Sequence, residues 1–264
     1  MDWWWAYLAI GALVGFLAGL LGIGGGAVTV PMLLFVFTAN GFPGEHMMHL
    51  ALATAMATIV FASLASVRAH ATRGGVDWQV VQGMLPGILL GSLAGALLAG
   101  VLPSRPLALF FTVFLFYAAS SMLFEVKPKA TRTLPGRAGL FAVGGIISAL
   151  SSLLAVGGAF LTIPFLTWCN VPLRRAIGTA AAAGFALSAA ASAGYVIGGL
   201  RVEGLPAWSL GYVYLPALAL VASTSMLTAP LGARLTHRLP VRQLRMVIAL
   251  LLYAVAARML AVLW

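Results

Sequence analysis

Long runs of this chain carry no Asp, Glu, Lys or Arg, among them residues 3–44, 48–67, 78–104, 106–124, 138–173 and 176–200. Crossing ~30 Å of hydrocarbon takes about 20 helical residues, and most of these runs are long enough. Apolar residues make up 62% of the chain and charged ones 8%. With a mean hydropathy of +1.06, that surface exceeds what one soluble core can hide. The runs do not alternate polar with apolar residues over ten-residue segments as a barrel does, so helices must satisfy the backbone. The expected fold is an all-α polytopic membrane protein.

The formal charge of +10 invites a nucleic-acid reading. The basic residues sit between the apolar runs, however, where they orient helices, and no nucleic acid is expected as a partner. Trp3, Trp4 and Trp5 read as an interfacial anchor. No basic region and no small-residue cleavage site mark a removable leader. The single cysteine, Cys169, rules out an intrachain disulfide and weakens any metal cluster. No cofactor is expected.

The chain repeats itself. Residues 21–31 (LGIGGGAVTVP) are answered by residues 154–164 (LAVGGAFLTIP), with the glycine pair, threonine and proline in register. Further on, ALATA at 51–55 is answered by AIGTA at 176–180, Leu85-Pro86 by Leu215-Pro216, LPSR at 102–105 by LPVR at 239–242, and Met122-Leu123 by Met259-Leu260. The organisation predicted is a first transmembrane repeat at 1–124, a basic connector at 125–137 and a second repeat at 138–264.

Basic residues decide how each repeat is threaded. If each glycine motif is a hairpin returning to its starting side and three crossings follow, one face receives Arg68, Arg73, Lys127, Lys129, Arg132, Arg137, Arg174, Arg175, Arg234, Arg238, Arg242 and Arg245. The other receives only Arg105, Arg201 and Arg258. Threading each motif as one crossing divides the same residues almost evenly, so the hairpin reading carries the positive-inside signal. Three crossings per repeat invert the second half relative to the first. The prediction is two inverted repeats, each a glycine-tipped helical hairpin plus three transmembrane helices. The connector is then cytoplasmic and both termini periplasmic, in a bacterial inner membrane. The ten residues from Ala159 to Trp168 span only ~15 Å as a helix, which favours hairpins that turn back inside the membrane.

The glycine runs carry the chemistry. Glycine accepts positive φ and close backbone approach, and a helix that starts at such a break points unpaired N–H groups and its positive dipole end at the tip. That makes an anion site without a basic side chain, suited to a membrane core where buried charge is costly. The candidate substrate-binding residues are Gly24, Gly25, Gly26 and Thr29 at one tip and Gly157, Gly158 and Thr162 at the other. Thr54 and Thr179 join them from the following helices. Pro31 and Pro164 restrict the start of each returning arm. The competing reading for the glycines is close helix packing, and for Thr54 and Thr179 a hydroxyl bonded to its own helix carbonyl.

Asp2, Glu45, Asp77, Glu125 and Glu203 all fall in loops or at ends, so no intramembrane acid offers a proton relay. Proton coupling would have to use histidine or the anion itself, and His49 and His70 read as interfacial residues. Arg258 reads as a snorkelling residue, while Arg68, Arg73, Arg174 and Arg175 gather anions at the inner mouth or set orientation. No nucleophile with a base, carboxylate pair or His-x-x-x-His spacing suggests an enzyme.

These motifs together resemble the TauE/SafE family of sulfite exporters and related anion permeases. The resemblance is carried by GLLGIGGG and the following VP (residues 19–31), HLALAT (49–54), SVRAH (66–70), RGGVDW (73–78), RRAIGT (174–179) and GYVIGG (194–199). The family often has serine after each threonine, where this chain has Ala55 and Ala180. The resemblance implies a permease that exports sulfite, organosulfonates or related sulfur-containing anions without ATP. A passive channel or a structural subunit of a membrane complex is the alternative.

Overall fold

The computed structural model describes residues 3–21, 25–124, 131–235 and 241–263. Its helices are α1 (Trp4–Leu21), α2 (Gly26–Ala39), α3 (Met47–Ala71), α4 (Trp78–Val101), α5 (Ser104–Leu123), α6 (Arg137–Leu153), α7 (Ala159–Trp168), α8 (Leu173–Gly199), α9 (Leu215–Leu235) and α10 (Val241–Leu263). Among the described residues, five helices, α3, α4, α5, α8 and the 215–232 part of α9, are long and apolar enough to cross a membrane. By contrast α2 and α7, with 14 and 10 residues, reach only about 21 and 15 Å.

One element departs from the exclusively helical expectation. In the α8–α9 connection, β1 (Ser209–Leu210) and β2 (Val213–Tyr214) pair antiparallel, Ser209 opposite Tyr214 and Leu210 opposite Val213. Gly211 makes the turn at φ 55, a conformation that needs glycine. A Cβ there would also overlap the Val196 carbonyl.

Local chemistry sets the helix boundaries. Asp77 caps α4, its Oδ1 accepting from the Val80 N–H at 3.3 Å, while Pro103 and Pro172 precede α5 and α8 in extended conformation. Asn170, at φ 61, turns the chain between α7 and α8, a position asparagine tolerates better than most residues. Pro31 and Pro164 each occupy the sixth position of their helix, so they act inside the returning arm rather than in its first turn. Pro86 and Pro216 do not correspond as expected. Pro216 is the second residue of α9, where a missing N–H costs nothing, whereas Pro86 lies inside α4.

The helices pair across the chain's midpoint. α1 packs on α9, α4 on α6, α3 on α8 and α5 on α10. Glycines let the first two pairs approach: a Cβ on Gly87 would overlap the Phe141 carbonyl, and one on Gly15 would overlap Thr228. The α5–α10 pair is joined by a 2.6 Å hydrogen bond between the Ser120 and Tyr253 hydroxyls. Residues 48–59 of α3 are buried on every side, which explains why no amphipathic period marks this helix.

The two ends of the bundle are distinct. At one, Asn40 donates to the Tyr7 hydroxyl at 3.0 Å, and Tyr212 stacks on His49 with centroids 4.9 Å apart. This end gathers the start of α1 with the α2–α3, α4–α5 and α8–α9 connections. At the other, Leu140 at the start of α6 faces Gly83 near the start of α4, and Gly178 lies against Gly75. Residues 131–132 are strapped to the end of α7 there, their N–H groups donating to the Trp168 carbonyl at 3.2 Å, with the Arg132 guanidinium 5.0 Å from the Trp168 ring.

Candidate functional site

The two glycine tips meet. A Cβ added to Gly26 would overlap the carbonyl oxygen of Ala155 and stand 3.0 Å from Cδ1 of Ile59, which lies near the middle of α3. Gly158 faces Leu187 and Gly184, near the middle of α8. Both breaks therefore lie about halfway along the two central helices. Gly24 lies outside the described residues.

The backbone bends differently from the expectation. Gly25, at φ −60, and Gly158, at φ −47, stay in geometry open to any residue. In the second break the positive φ falls instead on Ala155, at 45°. Gly26 is needed for the closeness of the opposite tip, not for a left-handed turn. No glycine pattern could have pointed to Ala155, and the strain of alanine in that region is the kind tolerated where surrounding packing dictates it.

Each returning arm begins without a side-chain cap. In α7 the Phe160 N–H donates to the Gly157 carbonyl at 3.3 Å and the Thr162 N–H to the Gly158 carbonyl at 2.8 Å. The N–H groups of Gly158 and Ala159 have no acceptor among the described residues. The interior prolines add a second feature: lacking N–H groups, Pro31 and Pro164 leave the carbonyls of Ala27 and Phe160 without their helical donor.

Ala27 and Phe160 also line a cavity of about 30 Å³ beside the tips, room for roughly two waters. Leu17 and Ala18 of α1, Gly25 and Val28, and Val156 form its sides together with Ala118 and Met122 of α5 and Ile248 and Leu252 of α10. Of the α5 and α10 residues, only Met122 fell in a repeated pair, and the others carry no motif that could have marked them.

The four threonines divide into three situations. Thr29 donates to the Gly25 carbonyl at 2.9 Å, within its own helix. Thr162 is 1% exposed, and its hydroxyl makes no hydrogen bond with the described residues. Thr54 accepts from the Tyr214 N–H at 3.0 Å, and Thr179 from the Asp77 N–H at 2.9 Å. Neither of the last two bonds its own helix, and neither stands at a tip.

Away from the tips, His49 is buried, with Nε2 2.9 Å from the Leu102 carbonyl and Nδ1 3.3 Å from Ser104 Oγ. It packs with His46 and Tyr212 and is tied more closely into the structure than an interfacial residue need be. Burial and the nearby Glu45 carboxylate push the Tyr212 hydroxyl pKa up, so it stays a donor, to the Gly100 carbonyl at 3.3 Å. Arg258 lies over the Phe35 ring at 5.0 Å. Among the described residues no group of three or more His, Cys, Asp or Glu is arranged to hold a metal ion.

A bundle of long apolar helices, with two short broken arms meeting in its interior, defines a polytopic membrane protein built to carry solute. The chain belongs to the family of sulfite exporters TauE/SafE, which matches residues 7–259. It is 36% identical over 253 residues to a "Probable membrane transporter protein" of Haemophilus influenzae, the match covering 96% of each chain. A second relative of the same description, from Methanocaldococcus jannaschii, is 26% identical over 259 residues, covering 93% of this chain and 91% of the other. No solved structure matches it. The chain is thus a membrane transporter of the TauE/SafE type.

Proposed function

We propose that the protein is a secondary exporter of a small anion such as sulfite, an organosulfonate or a related sulfur-containing anion, working by alternating access around the two hairpin tips. The observation that carries this is the meeting of two uncapped helix starts halfway along the central helices, with unpaired N–H groups at α7 and a cavity alongside. Such starts attract an anion without a fixed countercharge, so the anion is also free to leave. The binding residues are Gly25, Gly26 and Thr29 with Gly157, Gly158 and Thr162, Gly24 belonging to the same run. Thr162 supplies a free hydroxyl, whereas Thr29 must break its bond to Gly25 to donate.

Inverted repeats at 1–124 and 138–264 around the 125–137 connector suit this mechanism. Their support is that α1 starts at the end of the bundle carrying Asn40, whereas α6 starts at the opposite end. The end with Arg68, Arg73, Arg132, Arg137, Arg174 and Arg175 is the cytoplasmic one by the positive-inside rule, and the termini are periplasmic in a bacterial inner membrane. The helices carry no Asp or Glu, so proton coupling, where it operates, runs through a histidine such as His49 or through the anion.

The test is flux in proteoliposomes over sulfite, sulfate, thiosulfate and small sulfonates at two proton gradients. Labelled substrate should exchange faster when unlabelled substrate is present opposite, and Gly158→Leu should abolish the exchange while still inserting. Flux without this acceleration would make the protein a passive channel. No flux of any of these anions would remove the anion reading.

A further inference from the structure

Most buried or half-buried threonines here serve their own helix. Thr29, Thr58, Thr112, Thr167, Thr224 and Thr228 each donate to the carbonyl four residues back, the usual way of satisfying a hydroxyl inside a helix. Thr54 and Thr179, both 0% exposed, do otherwise. Each accepts a backbone N–H from the other half of the chain, across sequence separations of 160 and 102 residues. The two donors are equivalent: Tyr214 is the residue before α9 and Asp77 the residue before α4. The acceptors stand in the matching ALATA and AIGTA segments.

The two bonds lie at opposite ends of the bundle. Tyr214 closes the β1–β2 ribbon, whose Tyr212 stacks on His49 at the end carrying the α2–α3 connection. Asp77 belongs to the α3–α4 connection at the other end, where Gly75 lies so close to α8 that a Cβ on Gly178 would overlap its carbonyl. Each connection thus dips onto a central helix and bonds one of its threonine hydroxyls, the α8–α9 connection being held also by Tyr212, through its N–H to the Tyr195 carbonyl and its stack on His49. A buried N–H must find an acceptor. When an entrance opens, water supplies that acceptor, so the bond can be exchanged at low cost at one end while the other stays closed.

We propose that Thr54 and Thr179 are mirrored positioning residues of transport, each latching one entrance shut through the backbone of the opposite half. This rests on the alternating-access reading above but not on the identity of the carried anion. In this structure both bonds are formed. Loss of one latch shifts the protein toward the state open at that end alone.

The test uses the full chain with Cys169→Ser and a reporter at either of two equivalent positions one turn deeper, Ala57→Cys or Ala182→Cys, both 6% exposed. A membrane-impermeant thiosulfonate is applied from one face of oriented vesicles, without added anion. Thr54→Val should speed labelling at Ala57→Cys from the face carrying the α2–α3 connection by roughly fivefold, the factor for one hydrogen bond. It should not speed labelling at Ala182→Cys from the opposite face. Thr179→Val should do the reverse, and Thr→Ser at either site should restore the parental rates. The Thr→Ala variants read the same way where a valine variant does not insert. Equal acceleration at both reporters, or none at either, overturns the proposal. Because no anion is present, a negative flux screen leaves this result standing, and uniform labelling leaves the flux result standing.

Discussion

The contact between the tips predicts that two glycines prominent in the repeat respond differently to the smallest possible substitution. In Gly26→Ala the new methyl group would overlap the Ala155 carbonyl oxygen, a backbone atom, while also standing 3.0 Å from Ile59 Cδ1. The Ile59 methyl can shift, but the Ala155 carbonyl cannot turn away as a flexible side-chain end would, and Ala155 is already held at φ 45. The tips must therefore part by roughly 1 Å, with an overpacking cost of about 1–3 kcal/mol. A displacement of that size at a positioned site lowers rate by about a hundredfold. In Gly158→Ala the nearest atom is Leu187 Cδ1 at 3.1 Å, and the next are 3.6 Å away, so a few tenths of an ångström of side-chain movement suffice and the cost stays below about 1 kcal/mol. Both variants and the parent are compared by thermal unfolding in detergent and by counterflow in proteoliposomes. Gly26→Ala should lose stability and most of its flux while Gly158→Ala stays near the parent. Equal behaviour, or the reverse order, would refute the claim that direct contact between the tips is what demands glycine.

Two further outcomes follow from other parts of the molecule. Burial pushes the Cys169 thiol pKa up, against a weaker opposing pull from Arg132; since the thiolate is the reactive form, maleimide labelling in the folded protein should be slow at pH 7 and climb about tenfold per pH unit into the alkaline range. Labelling at pH 7 as fast as free cysteine contradicts this. Epitope tags inserted after Leu134 and after Glu203 should be accessible from opposite sides of the membrane, because the connections that carry them lie at opposite ends of the bundle; accessibility from one side alone removes the proposed topology.

The sequence made the helical membrane class readable because uncharged runs of bilayer length admit little else. It also marked the tips, since a glycine pair, threonine and proline recur at fixed spacing at 21–31 and 154–164. What it hid were relations between distant residues. The partners of Thr54 and Thr179 are backbone N–H groups in the other half, and a backbone donor leaves no mark on residue identity. The positive φ at Ala155 was equally invisible, because alanine adopts it only under the packing around it. Residues 48–59, buried all round, carry no periodic signal, and the pairing of α1 with α9 and α4 with α6 joins segments far apart in the chain, which an apolar face does not identify by itself. The Pro86 and Pro216 correspondence failed for a related reason: a two-residue match cannot tell a helix start from a helix interior.

That cross-pairing governs how the protein comes into being. α1 leaves the ribosome with its glycine face open long before α9 exists to cover it, and α4 likewise waits for α6. A chain arrested after α5 would hold both surfaces open to lipid or to other proteins. Assembly is therefore completed late, and nascent chains halted between the repeats should be prominent targets for membrane quality control.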